Sequence, residues 1–151
     1  MNYRQEITIN KSRKEVVEKF SNPKNMKHWQ RGFVWMKHVN GELGDEGSQN
    51  LLKYNMGKRE VEMTETIIKN NLPDAFSATY EAKGVYNYQK HKFSPTLEKH
   101  TLWSTDNEFQ FSGFMKVLGW FMPGAFRKQT RKYMEDFKAF VEEEKSVLDE
   151  L

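Results

Sequence analysis

Apolar and polar positions along this chain follow two periods, one of two residues and one of three to four. The stretch REVEMTETIIKNN, residues 59 to 71, places Arg59, Val61, Met63, Glu65 and Ile67 on one face and Glu60, Glu62, Thr64 and Thr66 on the other. That alternation predicts a strand with its odd face toward the core. Similar alternation marks residues 2–10 (with Tyr3, Gln5, Ile7 and Ile9 on one face), 33–40, 49–56, 75–82, 85–93 and 100–111. Turn residues separate these runs, among them GELGDEGS, NNLPD and SPTLEK. Seven strands joined by short turns predict one antiparallel sheet.

Helical spacing appears in two places. After the first strand, Ser12 and Glu15 form an S-x-x-E capping box ahead of Val16, Val17 and Phe20. Asn22 and Pro23 then open a second short helix carrying Met26 and Trp29. Near the end, Phe126, Thr130, Tyr133, Phe137 and Phe140 recur at four- and three-residue steps, with Met134 and Val141 beside them and Pro123 at the start. This is the strongest helical signal in the chain.

Composition narrows the reading. The 151 residues suit one domain spanning 1–151, with 8 Met, 4 Trp, 6 Tyr and 11 Phe building an interior of large side chains. Rings and thioethers fill irregular space and suit a cavity. Cysteine is absent, no apolar run reaches membrane-spanning length, and the opening residues lack a secretory apolar core, so a cytoplasmic protein is expected. The net charge of +3 comes from interspersed residues and argues against a nucleic-acid surface. No metal is expected, since the four His show no ligand spacing. The glycines Gly41, Gly44 and Gly47 sit among acids and make no phosphate loop, and no nucleophile elbow is present.

The order strand, two short helices, six strands, long helix resembles the START-like or Bet v 1-like (SRPBCC) superfamily. Residues 6 to 29 (EITINKSRKEVVEKFSNPKNMKHW), 39 to 48 (VNGELGDEGS) and the R-x-x-x-M-x-E pattern from Arg59 to Glu65 resemble its polyketide cyclase/dehydrase and lipid-transport branch. The resemblance implies an α+β helix-grip fold: a seven-stranded curved antiparallel sheet around the long helix, enclosing a cavity for a hydrophobic or amphipathic ligand. It implies binding or transport, with a cyclase-type enzyme and a co-chaperone-like interaction module as alternatives, and no cofactor. A monomer or weak dimer is expected.

Glu65 carries the question of chemistry. An inward carboxylate must be paired, protonated or beside water. Either it lies near the strand end against a Lys or Arg, or it opens onto a cavity as an anchor or general base. On residues 85–93 the odd set would bring Asn87 and His91 toward it; the even set would bring Tyr86 and Tyr88 instead, and a one-residue slip exchanges the two. His91 alone reads as a surface histidine. Candidate catalytic residues are Glu65 and His91, with Tyr80 assisting. Candidate ligand-binding residues are Trp35, Tyr54, Met63, Glu65, Phe76, Tyr80, Asn87, His91 and Trp103 on strands, and Phe126, Tyr133, Met134 and Phe137 on the long helix.

Two further features bear on partners. GFMKVLGWFMPGAF, residues 113 to 126, reads as a packed segment, with a gate or a transient membrane contact as the functional alternative. Arg127, Lys128, Arg131 and Lys132 follow it, while Glu142, Glu143 and Glu144 crowd the far end. This order opposes the helix dipole, at about 0.3–1 kcal/mol per charge. The basic cluster suits an acidic head group or simply a solvated face.

Overall fold

A computed structural model describes residues 1–151, the side chain of Phe121 excepted. Strand β1 (Asn2–Ile9) leads into α1 (Arg13–Ser21), a single 3₁₀ turn (Pro23–Asn25) and α2 (Met26–Trp29). Strands β2 (Phe33–Asn40), β3 (Gln49–Met56), β4 (Arg59–Asn71), β5 (Ala75–Ala82), β6 (Val85–Pro95) and β7 (Thr101–Phe111) follow as a meander. Helices α3 (Phe114–Phe121) and α4 (Pro123–Glu143) and a 3₁₀ turn (Val147–Glu150) end the chain. The sheet order is β1-β7-β6-β5-β4-β3-β2, antiparallel throughout. The seven strands and the long helix are therefore those expected from the alternation.

Local chemistry sets the helix starts. The Ser12 side chain accepts from the Glu15 amide and the Glu15 carboxylate accepts from the Ser12 amide, completing the capping box. Asn22 caps the 3₁₀ turn with Pro23 at its first position. Gly32 lets the chain pass close to β3: its φ is +82°, and a Cβ there would stand 2.1 Å from the Asn55 carbonyl oxygen.

Register decides which side chains face α4. The pairs Tyr54↔Val61, Leu52↔Met63 and Asn50↔Glu65 put the even set of β3 beside the odd set of β4. Glu65↔Tyr80, Tyr80↔Asn87 and Asn87↔Phe109 carry that face across to β7. Strand β6 thus turns Val85, Asn87, Gln89, His91 and Phe93 inward, which resolves the two alternatives left by the sequence. Irregularities interrupt the pattern once in β4 and twice in β2, the outermost of them between His38 and Asn40. A register shift in β4 between Ile67 and Lys69 exposes Ile68 and brings Asn70 and Leu72 onto the inner side.

The first shift in β2 lies between Phe33 and Trp35, pairing Trp35 with Lys53 instead of an inward residue. Trp35 therefore stands on the outer face, under the Lys37 ammonium 4.5 Å from its ring centroid. Its assignment to a ligand pocket is corrected on this ground: one inserted residue reverses every side chain beyond it.

The solid part of the interior lies toward β1, β6 and β7. Ile7, Ile9, Val16, Trp29, Phe93, Trp103, Met134, Phe137, Phe140 and Val141 form one buried cluster. Phe20 reaches in from α1, with its ring centroid 5.0 Å from Phe93, 5.1 Å from His91 and 5.9 Å from Trp103. Arg31 fastens the layers at the edge. Its guanidinium makes two bonds to Asp136 of α4, 2.7 and 3.1 Å long, and a third to Glu150 at 2.6 Å. Asp136 is only 8% exposed, so the fork compensates a charge that would otherwise be costly to hold there.

Candidate functional site

The inward faces of β3 to β7 and the first half of α4 enclose a cavity of about 530 Å³. At roughly 30 Å³ per water, that is far more room than a few ordered waters need. The walls are chiefly rings and thioethers. Met63, Phe76 and Trp103 come from the sheet and Phe126, Tyr133 and Met134 from α4, with Phe20 and Trp29 as the floor. The long helix supplies this wall because its stripe at three- and four-residue steps faces the sheet along its whole length.

One carboxylate stands in that lining. Glu65 lies in the middle of β4, half-buried, and accepts a hydrogen bond of 3.0 Å from Asn50 Nδ2 across the strand pair. Among the described residues no Lys, Arg or His comes within ion-pair distance of it. The reading that pairs Glu65 with a cation near the strand end is thereby overturned. Tyr80, its cross-strand partner in β5, and Tyr54 complete the polar pole. Burial, with the Glu65 carboxylate beside it, pushes the Tyr80 phenol well above its ordinary value. Burial foremost, then Tyr133 and Glu65, does the same for Tyr54, whose hydroxyl donates to Gln30 Oε1 at 2.5 Å. Both phenols therefore stay protonated at neutral pH and serve as donors.

A second polar strip runs along β6. Trp103 Nε1 donates to His91 Nδ1 at 3.2 Å, so His91 carries its proton on Nε2 and donates to Gln89 Oε1 at 3.2 Å. Gln89 Nε2 donates to Asn87 Oδ1 at 2.7 Å, and Asn87 Nδ2 ends the chain on the Glu108 carbonyl at 3.1 Å. Residues two apart on one strand share a face, which is why three consecutive members of the odd set can bond in series. His91 is 7% exposed, so its reading as a surface histidine is corrected. Burial pulls its imidazole down to about 4 and keeps it neutral, as the two bonds require.

The two poles are separate. From Glu65 to His91 the sheet crosses two strand spacings and runs four residues along, roughly 16 Å between Cα atoms at standard strand dimensions. They share a face but cannot meet on one reacting atom. Tyr80 is the acid–base partner within reach of Glu65.

Of the residues expected to line a pocket, Tyr54, Met63, Glu65, Phe76, Tyr80, Asn87, His91, Trp103, Phe126, Tyr133 and Met134 do so, and Trp35 does not. Phe137 also falls outside, because it lies one turn deeper on α4 and is wholly buried against Trp29, 4.9 Å away, and Trp103, 5.1 Å away. Asn50 and Gln89 were missed. Their signal was available in the alternation: Asn50 shares the parity of Leu52 and Tyr54, and Gln89 that of Asn87 and His91.

Above the cavity mouth, α3 departs from the packed segment expected of residues 113 to 126. Met115 reaches the cavity, and Gly119 lies so close to β7 that a Cβ would stand 2.6 Å from the Phe111 ring. The opposite face is open: Trp120 is 82% exposed and Phe114 70%. The basic cluster after it points away from the cavity. Arg127 lies over the Tyr3 ring, and Arg131 donates to the Glu6 carbonyl and pairs with Glu135.

No family model and no curated protein matches this sequence. Solved structures match its shape. A conserved protein from Geobacillus kaustophilus aligns over 93% of this chain and 95% of its own, with a TM-score of 0.78 at 14% identity. Ara h 8.0201 aligns over 93% and 97%, with a TM-score of 0.71 at 9% identity. Norcoclaurine synthase from Thalictrum flavum, solved with dopamine and hydroxybenzaldehyde, aligns over 97% and 88%, with a TM-score of 0.67 at 17% identity. The fold is therefore the Bet v 1-like helix-grip fold, with its seven-stranded antiparallel sheet and long C-terminal helix.

Proposed function

Starting from that fold, we propose that this protein binds a small hydrophobic or amphipathic ligand between the sheet and α4, and that it carries the ligand rather than converting it. The single observation behind this reading is the cavity: about 530 Å³, within the range of about 300–1,000 Å³ usual for ligand pockets, walled by rings and thioethers with few polar groups. The presence in the same fold of a synthase solved with two aromatic compounds is compatible with such a site. The lack of cysteine suits a reducing compartment, and we place this role in the cytoplasm. No helix among the described residues is long and apolar enough to cross a membrane.

Native mass spectrometry of gently purified protein, followed by organic extraction, tests the reading. The expected result is a reproducible adduct that disappears in Ala82→Trp, which fills the cavity from β5. An adduct unchanged in that variant would contradict it. A cyclase-type enzyme would have to work through Glu65 and Tyr80, since His91 is out of reach.

The open face of α3 favours one addition, contact with an anionic membrane surface during ligand exchange. Phe114, Val117 and Trp120 present apolar surface to solvent. Lys116 shares their helix and Arg127 and Lys128 follow in the first turns of α4, and none of these cations has an acidic partner among the described residues. No Asp or Glu occurs between Glu108 and Glu135. Apolar anchors followed by cations suit such a surface. Sedimentation with phosphatidylglycerol vesicles should pull down the wild type and lose Trp120→Ser. Equal recovery of both proteins, or equal recovery on neutral vesicles, would contradict it.

A further inference from the structure

The cavity contains one carboxylate, Glu65, and no cationic side chain to pair with it. Its lining includes Glu65 but no Lys, no Arg and no second Asp or Glu. The one histidine in the wall, His91, is committed as a neutral donor–acceptor between Trp103 and Gln89. The protein as a whole is basic, at +3, so the interior has the opposite sign to the net charge. A neutral scaffold would meet an apolar ligand without any carboxylate. An acid-binding pocket would place an Arg or Lys where Glu65 stands, because an anionic head group in low dielectric needs a cation or several donors.

What surrounds Glu65 suits a cation. Asn50 donates to one carboxylate oxygen at 3.0 Å, and the Tyr80 phenol lies against the carboxylate as a second neutral donor. That leaves lone-pair capacity for one more donor and no positive charge beside it. The rings of Tyr54, Tyr80 and Tyr133 are in the same wall, and their negative faces attract an ammonium as the carboxylate does. The phenols are held protonated and so add no competing charge. Beyond this pole the wall is Met and Phe, which receive an apolar tail.

We infer that the ligand of this cavity is an apolar amine, its ammonium seated on Glu65 and its hydrocarbon or aromatic body among the rings and thioethers. The inference rests on the ligand-binding reading above and names the ligand's charge. It also separates the cavity from the basic cluster of α4, which lies outside the lining and contributes nothing to head-group selection.

Calorimetric titration of the full chain with octylamine, octanol and octanoate at neutral pH decides it. These probes share one tail and differ in head charge. Octylamine should bind about tenfold or more tightly than octanol, as expected for one charge-assisted hydrogen bond, and octanoate should bind weakest. In Glu65→Gln the three affinities should converge to within about threefold. Octanol binding as tightly as octylamine to the wild type overturns the amine inference while leaving the cavity reading intact. Octanoate binding tightest overturns it in the same way. Failure of all three to bind overturns both. The wild-type order carries the test by itself, so it does not depend on the variant folding.

Discussion

Two regions of one sheet-and-helix layer meet at Phe20, Trp29 and Trp103, and they are built differently. Toward β1, β6 and β7, with the last turns of α4, Phe93, Trp103 and Phe137 pack edge-on against rings donated by α1 and α2, and none of the three is more than 2% exposed. Toward β3, β4 and β5, with the first turns of α4, no third layer fills the gap. Met63, Tyr80 and Phe126 line open volume. The difference comes from the connection between β1 and β2: its two short helices plug one end of the curled sheet and stop there. Stability is concentrated where rings pack on rings, and the other end is free to hold a ligand.

Substitutions should separate the two ends. Phe137→Ala empties the centre of the solid end, where that ring is wholly buried, and is expected to lower unfolding free energy by about 3–5 kcal/mol. Met63→Ala removes a side chain whose outer surface already faces the cavity, and should cost under about 1.5 kcal/mol, since little new void is made. Urea denaturation of both variants checks this. Similar losses at the two sites would abolish the distinction.

The next effect in size concerns pH and the boundary between the ends. Burial lowers the His91 imidazole to about 4, below its unfolded value. Between about 4 and about 6.5 the unfolded chain thus binds more protons than the folded one, so stability falls as pH drops through that window. The loss should approach about 3 kcal/mol and level off below the folded value. Because carboxylates titrate nearby, the measurement is the difference in pH slope between wild type and His91→Gln. Parallel slopes would mean that His91 is not held neutral.

The smallest effect has the opposite sign. Glu65→Leu removes a carboxylate with no cationic partner from the cavity wall and should raise stability by about 1 kcal/mol while weakening amine binding. A clear destabilisation would show that Glu65 is a structural partner, with Asn50, rather than a ligand anchor.

The alternation of residues made the strands legible, and the capping chemistry of Ser12 and Asn22 made the short helices so, because both depend on near neighbours in sequence. Cavity lining was legible wherever a strand kept its register, as with Met63, Glu65 and Tyr80. It failed at Trp35, since the shift after Phe33 is set by pairing with β3 and leaves no mark in β2 itself. It failed differently at Phe137. That residue belongs to the same helical stripe as Tyr133 and Met134, and only the reach of α2 and its Trp29 decides where cavity ends and core begins. His91 reads as exposed from sequence because its ring-nitrogen donor, Trp103, comes beside it only once β6 and β7 are paired.

The central claim is that the region beneath β3, β4 and β5 is an accessible apolar binding volume. The most direct measurement is calorimetry of octanol, the uncharged probe, against wild type and Ala82→Trp at several temperatures. The account predicts saturable one-to-one binding with a negative heat-capacity change, lost when the indole fills the space. Octanol that fails to saturate the wild type, or that binds Ala82→Trp equally well, would contradict it.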